Sequence, residues 1–229
     1  TSVVQANQTA GFSIITYTGN GVVSTIGHGL SQAPEWFILF HRGSLGSSNY
    51  VYHKSIGADY MLFLQLSNAK DTSVTTPWND TAPTSSVISL MSTGYGGNNS
   101  GEDYLIYAWH GVEGFSKFGS YQGNGSTDGT FVYTGFKPAF LMIKSSSHAV
   151  SWYMFDNKRN PLNPAGKRLV ADGTFVEDAG TTEAFDFLSN GFKLKNTSVG
   201  TNGSGYTYIY MAFAEHPFVG DGTNPTTAR

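Results

Sequence analysis

The chain of 229 residues is 39% hydrophobic and 14% aromatic but only 13% charged, about half the roughly 25% usual for soluble domains, and its net charge is −3. No basic block offers the footprint a phosphate backbone demands, no apolar stretch approaches the roughly 20 residues of a membrane helix, and there is no cysteine for disulfides or thiolate metal sites. Nucleic acid and membrane insertion are therefore not expected, and the surface should be built mostly from Ser, Thr, Asn, Gly and Tyr.

Helical periodicity is nearly absent, whereas short runs rich in β-formers recur between turn signals, so the expected class is all-β. In chain order, strands are predicted at Ser13–Thr18, Trp36–Arg42, Tyr50–His53, Tyr60–Leu66, Val87–Leu90 and Tyr104–Trp109. They continue at Lys117–Tyr121, Phe131–Thr134, Phe140–Lys144, Trp152–Asp156, Phe185–Leu188, Phe192–Leu194 and Tyr206–Ala214. Asn20-Gly21, Asn124-Gly125, Asp128-Gly129, Asp172-Gly173, Asn190-Gly191 and Asn202-Gly203 supply turns, because these residues tolerate positive φ. The last strand carries Tyr206, Tyr208, Tyr210 and Ala212 on one face and Thr207, Ile209, Met211 and Phe213 on the other. Neither face is simply polar, so this strand is predicted to be central and covered on both sides, by the other half of the chain or by a neighbouring subunit.

The two halves repeat one another. Tyr17-Thr18-Gly19-Asn20-Gly21 returns as Tyr121-Gln122-Gly123-Asn124-Gly125, an offset of 104 residues. Gly11-Phe12-Ser13 returns as Gly114-Phe115-Ser116, Gly29-Leu30 with Pro34 as Gly135-Phe136 with Pro138, and Leu90 as Leu194. Solenoid repeats run at about 20–50 residues, so this period is that of a whole small domain. The expectation is two tandem, duplicated antiparallel β-sandwich (jelly-roll-like) domains, residues 1–112 and 113–219, followed by a loose tail, 220–229.

Four of the six histidines, His28, His41, His53 and His110, lie in the first half, but none has helical metal-ligand spacing, and His53 aligns with Asp156. No Gly-x-Ser-x-Gly elbow occurs, and the sixteen carboxylates include no pair marked out for glycoside hydrolysis. No cofactor, metal or catalytic residue is assigned. Trp78, beside Asn79 and Asp80, and Tyr95, near Asn98, sit in polar loops where a core aromatic is not expected. A ring flanked by Asn and Asp groups suits the face of a sugar, and these five residues are the candidate ligand site; in the alternative, Trp78 folds back as a lid over the end of the sandwich.

Gly11-Phe12-Ser13-Ile14-Ile15-Thr16-Tyr17-Thr18-Gly19-Asn20-Gly21, Asp186-Phe187-Leu188-Ser189-Asn190-Gly191-Phe192-Lys193-Leu194 and Tyr208-Ile209-Tyr210-Met211-Ala212-Phe213-Ala214-Glu215-His216-Pro217-Phe218 resemble a repeat in structural, tail fibre-like proteins of tailed bacteriophages. The resemblance spans nearly the whole chain and implies a virion component, with the pair of repeats closing a longer polypeptide, in keeping with a sequence that opens on Thr1. It implies no catalytic residues. The reading that follows is a non-enzymatic receptor-binding module that recognises a host-surface glycan or protein, assembled in the host cytoplasm and exposed on the virion. Other virion proteins would be its neighbours, and a homo-oligomer, with a trimer favoured, would add avidity. The alternatives are a capsid-decoration or tail-assembly module without a ligand, and a glycan depolymerase.

Overall fold

A computed structural model describes residues 2–43, 48–71, 75–92, 96–177 and 182–215. Their secondary structure is sixteen strands in antiparallel sheets, an all-β fold of the sandwich type. The chain divides into two compact units, Thr1–His110 and Gly111–Arg229. The division falls two residues before the expected one, because Val112 bridges Ser116 and so ties the connecting turn to the second unit. The expected tail, 220–229, lies outside the described residues.

The first unit contains β1 (Ser2–Asn7), β2 (Phe12–Thr18), β3 (Ser24–Gly27), β4 (Trp36–His41), β5 (Tyr50–His53), β6 (Leu62–Phe63), β7 (Val87–Leu90) and β8 (Asp103–Trp109). Its larger sheet has the order β1-β2-β8-β4-β5-β6 and its smaller one pairs β3 with β7. Alternation sends Ile15, Tyr17, Phe37, Leu39, Tyr104, Ile106 and Ala108 to the face turned toward Ile26, Ile88 and Leu90 of the smaller sheet, and these residues form one buried core.

The second unit contains β9 (Ser116–Gln122), β10 (Phe131–Tyr133), β11 (Pro138–Ser145), β12 (Tyr153–Asp156), β13 (Leu169–Val170), β14 (Phe185–Leu188), β15 (Gly191–Leu194) and β16 (Thr207–Ala214). Its sheets run β13-β12-β11-β16-β9 and β10-β15-β14. Apart from β1 and β14, the order is that of the first unit. β16 is central, between β11 and β9, and Tyr208 to Ala212 are buried on both of its faces.

All thirteen predicted strands are present. Three were not foreseen: β1, β3 and β13. β1 is exposed at every position, β3 has a single core residue, Ile26, and β13 is two residues long, so none carries a legible alternation.

Candidate functional site

Trp78 is not on the surface. Its ring is fully buried, edge-on to Phe37 (centroids 5.1 Å apart) and Tyr52 (5.6 Å), and its Nε1–H donates to Ala58 O at 2.7 Å. The polar neighbours that made the loop look solvated are the turn that delivers the indole. Asp80 Oδ1 accepts the Thr76 N–H (2.8 Å) while Thr76 Oγ1 accepts the Asp80 N–H (3.0 Å), and Asn79 and Asp80 take φ of 56° and 47°. Asn and Asp reach that region more readily than other side chains do. Trp78 is thus a core residue of the first unit and not an exposed platform.

Asn98 is a second correction. It is buried, and its amide nitrogen donates to Asn20 Oδ1 (2.9 Å), Val22 O (2.7 Å) and Met91 O (3.0 Å), while its Oδ1 accepts the Asn20 N–H (3.0 Å). A buried amide whose two N–H groups are both engaged in this way holds the loop together. Tyr95 lies outside the described residues.

The same clasp recurs in the second unit, 104 residues on. The amide nitrogen of Asn202 donates to Asn124 Oδ1 (3.1 Å), Ser126 O (2.9 Å) and Asn196 O (2.6 Å), and its Oδ1 accepts the Asn124 N–H (3.1 Å). Each clasp sits under a stacked tyrosine pair with centroids 5.1 Å apart: Tyr17 on Tyr104, and Tyr121 on Tyr208. Tyr17 donates to Gly97 O and Tyr121 to Thr201 O, the latter at 2.6 Å. Burial pushes both phenols far above their ordinary pKa, so they remain donors. A glycine is required beside each clasp: a Cβ at Gly19 would stand 2.2 Å from Asn99 O, and one at Gly123 2.4 Å from Gly203 O.

Other polar groups are engaged structurally as well. His28 is buried, receives the Leu30 N–H at Nδ1 (3.1 Å) and reaches Thr84 O with Nε2 (3.2 Å). Arg168 pairs with buried Glu183 and lies 4.7 Å from the Tyr153 ring. Lys144 is buried beside Trp152 and donates to Ser145 O at 2.9 Å, and desolvation brings its ammonium down to about 8. Among the described residues no three His, Asp or Glu side chains converge as a metal site.

An open cleft of about 490 Å³ lies in the second unit, between the start of β11, the loop after β12 and β14. Lys137, Asn157, Lys158, Leu162, Phe187 and Glu215 contribute to its walls. The loop is pinned from within. Asp156 Oδ1 accepts the N–H groups of Lys158 (3.0 Å) and Arg159 (2.8 Å), and Asn160 Oδ1 accepts those of Gly166 (3.2 Å) and Lys167 (2.7 Å). Asn163 exchanges two bonds with the backbone of Phe187, at 2.9 and 3.0 Å. Fixed in this way, the loop presents Leu162, 79% exposed, at the rim. Glu215 is held by Lys158 and by Asn157 Nδ2 (2.9 Å), whereas Lys137 Nζ has no hydrogen-bond or ion-pair partner among the described residues. Chemically the cleft offers one available cation, a neutralised ion pair, amide groups and an apolar rim. The sequence signal for it is the run Asp156-Asn157-Lys158-Arg159-Asn160-Pro161-Leu162-Asn163-Pro164, dense in turn formers, which strand periodicity passes over.

A family model matches residues 1–217, nearly the whole chain and both units, and its description is a domain of unknown function, DUF7483. The chain belongs to the DUF7483 family. No curated protein and no solved structure matches it. The DUF7483 match takes in both asparagine clasps and all the residues named above as lining the cleft.

Proposed function

We propose that this chain is a non-enzymatic recognition module of a tailed-phage virion, built from two copies of one ancestral sandwich, that binds a host-surface glycan in the cleft of the second unit. The observation that carries the glycan reading is the make-up of that cleft: Lys137 available for an anionic or hydroxyl group, Asn157 for directional hydrogen bonds, and Leu162 and Phe187 for the apolar face of a sugar ring. Pinning by Asp156, Asn160 and Asn163 means that little loop ordering opposes binding. Glu215 is the carboxylate in the lining, and it is committed to Lys158, whereas glycoside hydrolysis asks for two carboxyl groups about 5–9.5 Å apart across the bond. The resemblance of the repeat to phage tail proteins supports the virion setting.

The test is a glycan array, with host-cell adsorption of the purified chain alongside. The wild type is expected to retain a defined set of glycans, and Lys137→Ala to bind them about tenfold or more weakly, as befits one charge-assisted hydrogen bond. Absence of binding to every glycan and cell would overturn the reading.

A second reading, an assembly module without a ligand, is favoured by Phe175 and Val176, which are 73% and 89% exposed side by side in the segment after β13. It predicts that both become protected from labelling in the assembled particle while the isolated chain binds no glycan.

A further inference from the structure

The edge of the second unit's larger sheet is constructed like that of the first but lacks the strand that covers it. β2 turns the main-chain groups of its odd-numbered residues toward β8, as the bonds at its two ends show: Gly19 N–H to Glu102 O (2.8 Å) and His110 N–H to Gly11 O (3.0 Å). Its even-numbered residues serve β1, with Thr16 opposite Val3. In β9 the bonds Gly123 N–H to Tyr206 O (2.9 Å) and Ala214 N–H to Phe115 O (2.8 Å) likewise set the odd residues toward β16. Ser120, the counterpart of Thr16, therefore directs its N–H and C=O away from the sheet, and among the described residues β16 is the strand that pairs with β9. Connectivity is the reason. Val112 bridges Ser116 as though starting an antiparallel return along β9, but the residues upstream, Asp103–Trp109, form β8 in the first unit.

The surface beside this edge is unlike that beside β2. In the first unit Val4 and Ala6 of β1 lie over Gly29, where a Cβ would stand 2.9 Å from Val4 Cγ1 and 3.1 Å from Ala6 Cβ. Gly135, the matching glycine, also has positive φ (89° against 69°), but a Cβ there would meet nothing closer than the Tyr133 hydroxyl at 3.6 Å. Tyr133 and Phe131, both on β10, are 59% and 45% exposed. Lys117 of β9 donates to Tyr133 O at 2.9 Å, which places these rings next to the edge. Apolar surface thus lies uncovered in the region that β1 covers in the first unit.

The fold already contains a strand of the required kind. All six residues of β1 are exposed, so no side chain anchors it in the core, and a tight turn, in which the Ala10 N–H donates to Asn7 Oδ1 (3.0 Å), joins it to β2. Leaving β2 for a matching edge would exchange one ladder for an equivalent one and add contact with Tyr133 and Phe131. We propose that β9 of one chain receives β1 of a second copy, with Val3 opposite Ser120, so that chains associate head to tail by strand exchange. Donor and acceptor are different surfaces, so the contact either closes into a ring, of which the reciprocal two-fold exchange is the smallest, or runs on as a filament.

The chain has no cysteine, which makes the register directly testable. Val3→Cys combined with Ser120→Cys, oxidised at protein concentrations where light scattering shows association, is expected to give inter-chain disulfides that neither single variant gives. Ser120→Pro removes an outward N–H that β16 does not use, so circular dichroism should stay native while self-association weakens by about tenfold or more. A chain that is monomeric at every concentration overturns the proposal, as does a disulfide closed within one chain. Cross-linking through Ser120→Cys alone, as efficient as through the pair, would mean that β9 meets another β9, and also overturns it. Should Ser120→Pro fail to fold, the disulfide register decides.

Discussion

In the first unit the ring of Tyr52 is met edge-on by Trp78, delivered by a turn; in the second the matching ring, Phe155, is met edge-on by Phe185 at 4.8 Å, delivered by strand β14. Apart from β1, the larger sheets beneath have the same strand order, and both capping residues come from the segment before the last strand, β7 or β15, of the smaller sheet. The core thus demands an aromatic at that spot and is indifferent to the backbone that brings it. A turn has to be stiffened by its own side chains, here Thr76 and Asp80, whereas a strand draws on the ladder with β15. Removing the cap is the largest perturbation on offer. Trp78→Ala is expected to destabilise the first unit by roughly 3–5 kcal/mol. Hydrogen exchange should then accelerate in β4 and β5 while β11 and β16 keep their protection, and Phe185→Ala should reverse the pattern. Equal acceleration in both units after either change would show that the two cores do not act separately.

The sandwich could be read from sequence because thirteen strands carry β-rich runs and the 104-residue repeat brackets them. The site could not, since the cues for an exposed platform and for a stiffened turn are the same residues: Pro77, Asn79 and Asp80 surround Trp78 either way. Asn98 was misleading for a similar reason, as an Asn- and Gly-rich loop looks solvated. Its repetition as Asn202 was the available clue, because a loop asparagine kept in both halves, with Gly19 and Gly123 kept beside it, points to a shared internal bond network. The cleft around Lys137 shows in the sequence only as the turn-former run 156–164, because its other walls come from residues as much as 78 positions apart in the chain.

The two clasps sharpen the comparison, since here the units agree almost atom for atom. Asn98→Ala and Asn202→Ala each leave two buried or part-buried backbone carbonyls without their donor, and each is expected to lower stability by roughly 2–4 kcal/mol in its own unit. The conservative Asn→Asp change should be nearly as harmful, because a carboxylate cannot donate to the two carbonyls that each amide serves. Urea unfolding followed by site-resolved hydrogen exchange would check both. Losses differing by more than about 2 kcal/mol between the clasps would mean that shared geometry hides unequal energetics.

The smallest expected effect concerns a position where geometry is kept and chemistry is not. His28 Nδ1 accepts the Leu30 N–H at 3.1 Å, and at the matching place Thr134 Oγ1 accepts the Phe136 N–H at 3.4 Å; the His28 N–H bonds Ser86 O (3.3 Å) as the Thr134 N–H bonds Asn190 O (3.0 Å). Accepting at Nδ1 requires the tautomer whose proton sits on Nε2, directed at Thr84 O, so a second proton would collide with the Leu30 N–H. Burial lowers the His28 pKa below its ordinary 6.5, His110 adds to the shift and the Thr84 bond opposes it. Below about pH 6.5 the unfolded chain therefore takes up a proton that the native chain still refuses. Stability from this group is complete above that pH and declines as pH falls toward the native pKa, and Thr134 has no such dependence. His28→Thr should accordingly reduce the loss in urea midpoint between about pH 7.5 and about pH 5, leaving the second unit unaffected. A native His28 that titrates at or above 6.5 by NMR, or a variant whose midpoint falls as steeply as the wild type's, would show that burial of His28 does not set the acid sensitivity of the first unit.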